Sequence, residues 1–331
     1  MNEGKVFVIA ELSANHNNNF DLAVKTIESM AKAGADAVKI QTYTADSLTL
    51  DVDNEYFGPR KEGLWKGRRP YELFQEGSLP YEWHGKLKAI AEGFGLVFFS
   101  TPFDNAGVDL LESIGVSMYK IASLEITDIP LIEYVAKKGK PMIISTGVAE
   151  LADIELVVNT CRAAGNNDIT LLKCTSEYPA KVDQANLRTI PNLKETFGVA
   201  VGVSDHTMGS TVPVVAVALG ATAVEKHFIL DRSLGGPDSA FSMEPREFEA
   251  MVKSVREAEA ALGAVTYAVS EKNKLRRRSL FVAEDIKAGA PITEKNVRSV
   301  RPGNGMHPKY YKGILGSDAK RDYKKGEPFL R

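Results

Sequence analysis

Two short apolar runs in this 331-residue chain each end in a histidine: Val199-Ala-Val-Gly-Val-Ser-Asp-His-Thr207 and Thr222-Ala-Val-Glu-Lys-His-Phe228. Side chains in a strand alternate faces with period two, so as buried strands these runs place Ser204 on one face with His206, and Glu225 on one face with His227. A lone histidine in such a run is more often a hydrogen-bonded core residue than a ligand. Two of them, at the same end of consecutive strands, make a pair that can hold a divalent ion. Imidazoles completed by water and substrate oxygens suit Mn²⁺ or Mg²⁺ better than a structural zinc, with zinc and iron as alternatives. Lys39 and Lys120 also lie inside apolar runs. An unpaired ammonium is costly there, so each must meet an anion, either a ligand phosphate or carboxylate or a structural carboxylate from Glu11, Glu125 or Glu225.

The elements that must position these groups are legible as a repeat. Val/Ile/Phe-rich runs begin near Val6, Ala37, Leu96, Met118, Pro141, Ile169, Val199 and Thr222, and most gaps between them carry helical periodicity. Phe20 to Gly34, with Leu22, Ala23, Ile27, Met30 and Ala31 on one face, is one such helix; Pro245 to Leu262 is another, and Gly34 and Gly263 are their stops. Eight near-continuous apolar strands alternating with helices predict an α/β fold, a (β/α)8 TIM barrel. A doubly wound open sheet is the competing architecture, weakened in its dinucleotide-binding form because no G-x-G-x-x-G follows the first strand. In a barrel the reactive groups come from the C-terminal ends of the strands, and here all eight ends are polar: Glu11 to His16, Lys39 to Gln41, Ser100 to Pro102, Lys120 to Glu125, Ser145 to Gly147, Cys174 to Tyr178, Ser204 to His206 and Glu225 to His227. A long gap from Thr42 to about Pro80, with Tyr56, Phe57, Trp65, Tyr71 and Phe74, is expected to shape a substrate pocket.

After Gly263 the pattern changes. Glu271-Lys-Asn-Lys-Leu-Arg-Arg-Arg278 reads as a solvated tether, and short alternating segments follow, with turns at Ala288-Gly289 and Lys325-Gly326. The expected organisation is a catalytic barrel over 1–263, a linker over 264–278 and a small β-rich domain over 279–331. So small a module has little core of its own and should lean on a neighbouring surface, such as that of a second subunit. With 41 Lys plus Arg against 43 Asp plus Glu, the net charge of −2 gives no case for nucleic acid or an acidic membrane. No basic-then-apolar leader opens the chain and Val212 to Leu219 is too short to span a bilayer, which predicts a cytoplasmic protein. Cys161 and Cys174 are too few for a disulfide framework, and neither receives a role.

These residues carry a resemblance. Ile9-Ala-Glu-Leu-Ser-Ala-Asn-His-Asn17, Val38-Lys-Ile-Gln-Thr42, Phe99-Ser-Thr-Pro-Phe103, Tyr119-Lys-Ile-Ala-Ser123, Ser204-Asp-His-Thr207, Glu225-Lys-His-Phe228, Gly235-Gly-Pro-Asp238 and Arg301-Pro-Gly-Asn-Gly305 resemble, in order and over almost the whole chain, the sialic acid synthase family. The small domain is similar to that family's antifreeze-like (SAF) domain. Glu-Leu-Ser-Ala-Asn-His and the insert Trp65-Lys-Gly-Arg-Arg-Pro-Tyr-Glu-Leu73 look most like the pseudaminic acid branch. Leu12-Ser13 and Asn18 stand where N-acetylneuraminate synthases more often show Ile-Gly or Ala-Gly and a glycine, which points away from N-acetylmannosamine as substrate.

The resemblance implies condensation of phosphoenolpyruvate with an acetamido sugar to a nonulosonic acid and phosphate, in a domain-swapped homodimer. It implies that Lys39, Thr101, Lys120, Ser123, Ser145, Ser176 and Ser204 hold phosphoenolpyruvate. It further implies that Gln41 binds substrate, that Tyr178, Asp238 and Arg301 contact the sugar, that Glu11 and Glu125 handle protons and contact sugar hydroxyls, and that His206 and His227 carry the metal. Two other classes remain open on the residues themselves: a Schiff-base aldolase using Lys120, which would need no histidine pair, and a non-catalytic carbohydrate-binding protein.

Overall fold

A computed structural model describes residues 4–330; the predicted domain ends at residues 1–3 and 331 lie outside the described residues. The chain splits into two compact units, Met1–Gly263 and Ala264–Arg331.

In the first unit eight parallel strands close into a barrel in sequence order: β1 (Phe7–Glu11), β2 (Ala37–Thr42), β3 (Val97–Pro102), β4 (Tyr119–Ile121), β5 (Met142–Ser145), β6 (Ile169–Cys174), β7 (Ala200–Asp205) and β8 (Ala223–His227). Closure, with β1 paired to β8, rules out the open sheet. Every strand begins within one residue of its expected start. The strands read as continuous apolar runs because both of their faces are covered. Val8, Ala10, Val38, Ile40, Leu171, Val203 and Val224 pack outward against helices, while Ile9, Ala37, Phe99, Ile143, Leu172 and Ala223 fill the barrel. Gly202 is needed for that filling: a Cβ there would stand 2.5 Å from the Ala223 carbonyl oxygen and 2.7 Å from Leu172. One step further along the same inward register the side chains turn polar, with Glu11, Lys39, Lys120, Ser145, Cys174, Ser204 and Glu225. An apolar plug therefore seals the barrel beneath a polar floor.

The helix Phe20–Lys32 is capped by Asn19, whose side chain accepts from the Leu22 amide at 3.0 Å. Its buried face is Ala23, Thr26, Ile27 and Met30; Leu22 and Ala31 are only half-buried. Thr26 can be buried because its hydroxyl donates to the Leu22 carbonyl at 2.7 Å, a satisfaction that periodicity does not reveal. The helix Pro245–Leu262 opens with proline at its first turn and a Glu244/Glu247 capping box, and it buries Phe248, Met251, Val252 and Val255. The long insert after β2 holds only the short helices Ala45–Leu48 and Pro70–Gly77 before Tyr81–Gly93 begins.

In the second unit β9 (Ser279–Val282) pairs antiparallel with β10 (Val297–Val300) over a core that includes Leu280, Val282, Ile292, Val297, Tyr323 and Phe329. The Arg301-to-Gly305 turn is fastened to β9: the Ser279 hydroxyl donates to the Pro302 carbonyl at 2.6 Å and accepts from the Gly305 amide at 2.8 Å. Before β9 the chain makes one helical turn, Glu271–Lys274, and Val265 and Tyr267 are 92% and 93% exposed.

Candidate active site

Parallel register explains how the polar floor assembles. Glu11 pairs in register with Lys39 on one side and His227 on the other. Its carboxylate lies 2.6 Å from the Lys39 ammonium and 3.6 Å from His227 Nε2, and accepts from Gln41 Nε2 at 3.2 Å. Lys39 is also 3.4 Å from Glu225. Lys120 donates to Ser145 Oγ at 2.6 Å and to the Ile121 carbonyl at 3.0 Å, with Glu225 3.8 Å away. The Ser204 hydroxyl donates to Glu225 Oε1 at 2.9 Å. Two buried lysines are thus balanced by two buried glutamates. Burial alone would raise the Glu225 pKa, but Lys120 and Lys39 outweigh it and hold the carboxyl down at about 2. Glu11 moves the other way, raised by burial against the pull of Lys39. The Lys120 pKa is lowered, chiefly by burial.

His206 and His227 face each other with ring centroids 5.2 Å apart, beside Phe241 and Tyr178. His206 Nδ1 lies 3.0 Å from the Thr175 carbonyl oxygen, which can only accept, so Nδ1 carries a proton. Burial lowers the His206 pKa, but the Cys174 thiol against the ring outweighs it and raises the pKa. His227 Nδ1 is buried with no partner at all. Burial, then the neighbouring His206, pushes the His227 pKa down to about 3, leaving a neutral imidazole. Two facing imidazoles, one of them held neutral with an orphaned nitrogen, fit a divalent ion. Among the described residues no group of three or more His, Cys, Asp or Glu side chains forms a closed cage, so an ion here would keep positions open to oxygen ligands.

Above this floor lies a cavity of about 380 Å³. One wall carries Ser123, Ser145, Cys174 and Ser176, and the Gly147 amide donates to Ser123 Oγ at 3.0 Å. A Cβ at Gly147 would overlap both the Ser176 and Ser123 hydroxyls, so glycine keeps this hydroxyl-lined recess clear. Glu125 lines the same space; burial raises its pKa to about 7, and its Oε2 is buried without a partner. Asp238 also lines the cavity, where it accepts from the Ser13 hydroxyl and, at 3.3 Å, from the Ala14 amide.

Comparison with known proteins decides what this arrangement belongs to. Residues 26–267 match the model of the NeuB family, and residues 277–330 match the SAF domain. The chain belongs to the NeuB family. A pseudaminic acid synthase of Campylobacter jejuni is 47% identical over 98% of this chain and 95% of its own length. The N,N'-diacetyllegionaminic acid synthase of Legionella pneumophila is 37% identical over 98% of this chain and 93% of its own. Among solved structures, an N-acetylneuraminic acid synthetase of Leptospira borgpetersenii superposes with a TM-score of 0.72 at 33% identity, covering 82% of this chain and 89% of that one.

The barrel of this NeuB-family chain brings most of the predicted site residues to one cavity: Glu11, Lys39, Gln41, Lys120, Ser123, Glu125, Ser145, Ser176, Tyr178, Ser204, His206, His227 and Asp238. Thr101 is not on its wall; it is fully buried beside the floor, with Oγ1 unpartnered. Arg301 lies in the second unit. Of the insert aromatics, Trp65 and Phe74 reach the cavity, whereas Tyr56, Phe57 and Tyr71 do not. Trp65 is pinned there by donating from Nε1 to the Pro237 carbonyl at 3.0 Å. Cys174, Tyr43, Arg60 and Leu124 also line the cavity, although nothing in the sequence was ground for assigning any of them a role. Cys174 shares inward parity with Leu172, and that alternation was its one available clue. His16, in contrast, is spent on structure, donating from Nε2 to the Gly77 carbonyl and accepting from the Asn18 amide.

Proposed function

We propose that this protein is a pseudaminic acid synthase, condensing phosphoenolpyruvate with 2,4-diacetamido-2,4,6-trideoxy-L-altrose to give pseudaminate and phosphate. The observation that carries the reading is the convergence, in one cavity, of a lysine- and hydroxyl-lined recess with a facing histidine pair, in a chain 47% identical end to end to an enzyme of that name. Lys39, Lys120, Ser123, Ser145, Ser176 and Ser204 hold the phosphate and carboxylate of phosphoenolpyruvate, with Thr101 supporting them from behind. This leaves the methylene carbon facing the aldehyde, and positioning is most of what these groups contribute. The carbon–carbon bond forms between that methylene and the aldehyde carbon, whose oxygen takes a proton. Water adds at C2, and the tetrahedral carbon expels phosphate to leave the ketone. Glu11 and Glu125 are the groups placed to hold and move those protons; Glu125 titrates near neutrality as such work requires. Gln41, Tyr178 and Asp238 bind sugar hydroxyl and amide oxygens. His206 and His227 hold a divalent metal, Mn²⁺ or Mg²⁺, which when bound supplies Lewis-acid polarisation of the aldehyde oxygen.

The protein works in the cytoplasm as a homodimer. Residues 264–278 serve as the tether, and the partner's SAF domain brings its arginine equivalent to Arg301 to the sugar end of the cavity. Legionaminate synthesis is the second reading, favoured by the relative that is 37% identical. Mass spectrometry of products from a panel of acetamido sugars with phosphoenolpyruvate tests the choice. The expected result is far better turnover of the 6-deoxy-2,4-diacetamido altrose than of N-acetylmannosamine. An apolar contact of methyl size discriminates by only about 1 to 3 kcal/mol, so the second acetamido group must supply the rest. Equal or better kcat/KM on N-acetylmannosamine refutes the assignment.

A further inference from the structure

The residues that alternate with the histidine pair form an ion pair on the other side of the barrel wall. Asp205 and Lys226 point outward, are 4% and 1% exposed, and are register partners on β7 and β8. Lys226 Nζ lies 2.9 Å from Asp205 Oδ2 and also donates to the Thr207 carbonyl. Asp205 in turn accepts from the Thr207 amide at 2.9 Å and from the Thr207 hydroxyl at 3.1 Å. His206 is therefore bracketed on both sides by residues bound to one lysine, and that lysine immediately precedes His227.

Stability does not call for a charge pair here. The preceding outward positions, Val203 and Val224, fill the same strand–helix layer with apolar side chains. Exchanging a buried ion pair for well-packed apolar residues is often neutral or stabilising. What the pair adds is direction: it ties the last residue of β7 and the turn after it to β8, fixing where the His206 and His227 backbones stand relative to each other. The Thr175 carbonyl then fixes the rotation of the His206 ring.

We infer that Asp205 and Lys226 are positioning residues, a clamp that presets the spacing of the two imidazoles for the ion. This rests on the reading of His206 and His227 as the metal pair. Outer partners of metal ligands typically contribute 10- to 100-fold in affinity.

The test is the double variant Asp205→Leu/Lys226→Met, with Mn²⁺ binding followed by electron paramagnetic resonance of the free ion and phosphate binding followed by the shift in Tm. The expected result is a melting temperature close to wild type and a nearly unchanged phosphate shift, because Lys39, Lys120, Ser123, Ser145 and Ser176 lie outside β7 and β8 and only Ser204 of the cradle is on β7, together with a Mn²⁺ Kd weakened about 10- to 100-fold. If the double variant does not fold, Asp205→Asn/Lys226→Met, which removes both charges together and keeps the side-chain oxygen that accepts from the Thr207 amide, is read in the same way. A folded variant that binds Mn²⁺ within about two-fold of wild type overturns the clamp, as does a variant that loses Mn²⁺ and phosphate binding in parallel. The metal reading is tested separately by His206→Ala: if wild type binds no Mn²⁺, or binds it no better than that variant, the pair is no metal site and the clamp has nothing to position.

Discussion

Among the described residues, Glu225 is the carboxylate within 4 Å of both lysines of the polar floor, at 3.4 Å from Lys39 and 3.8 Å from Lys120. Replacing it by Gln keeps its size and its bond from Ser204 while removing one charge. At an effective dielectric near 20 the two attractions amount to about 4 to 5 kcal/mol each, before the desolvation that offsets them. Lys39 retains Glu11 at 2.6 Å, so its loss is small; Lys120 is left with only the Ser145 hydroxyl and the Ile121 carbonyl. Stranding one buried ammonium costs about 3 to 5 kcal/mol. For a domain of this size each kcal/mol is worth about 2 to 4 °C, so Glu225→Gln should lower Tm by about 6 to 20 °C. An anion in the recess takes over the carboxylate's role, so inorganic phosphate should raise the Tm of the variant more than that of wild type. Differential scanning fluorimetry with and without phosphate measures both effects. A fall of less than about 2 °C with no larger phosphate shift would refute the argument that Glu225 is the standing counter-ion of the cradle.

Glu125 holds its proton in the folded protein up to about pH 7, whereas the unfolded chain releases it near the ordinary value of 4.5. Folding therefore takes up a proton between those values, and this group's contribution to stability falls as pH rises through that window. Glu125→Gln should become more stable relative to wild type from pH 5 to 8 by denaturant titration and should lose the limb of the kcat/KM profile near pH 7; parallel stability curves would show that burial does not hold the proton. His227→Ala should fold normally and have no activity that Mn²⁺ restores, whereas chelated wild type recovers on adding Mn²⁺. Full activity of wild type after exhaustive chelation ends the metal reading. Arg301→Ala should mainly raise KM for the sugar, and mixing it with His206→Ala should recover partial activity, since hybrid dimers hold one intact site. No recovery after verified subunit exchange would show that the small domain acts within its own chain.

Strand parity was legible in the sequence because it is fixed by covalent geometry. The facing of Ser204 with His206 and Glu225 with His227, and the polar register that begins at Glu11, Lys39 and Lys120, follow from alternation alone. The eight strand starts were legible because both faces of each strand are buried, which leaves a continuous apolar signal. The face of the helix Phe20–Lys32 was legible less completely, since Thr26 is buried through a hydrogen bond to its own backbone rather than through hydrophobicity.

Only closure of the barrel decided which charges meet. Lys39, Lys120 and Glu225 come from β2, β4 and β8, and their distances depend on stagger around the ring and on how tightly Gly202 lets Leu172 fill the axis beneath them. Those are long-range packing constraints that no local window contains. For the same reason the sequence offered Lys39 and Lys120 as needing an anion without saying which, left Cys174 without a role and Arg60 without a place in the cavity, and could not tell that Trp65 reaches it while Tyr56 does not. Residue type and period state what each side chain can do; the third dimension selects its partner, because burial makes every unpaired charge costly and closure leaves few partners within reach.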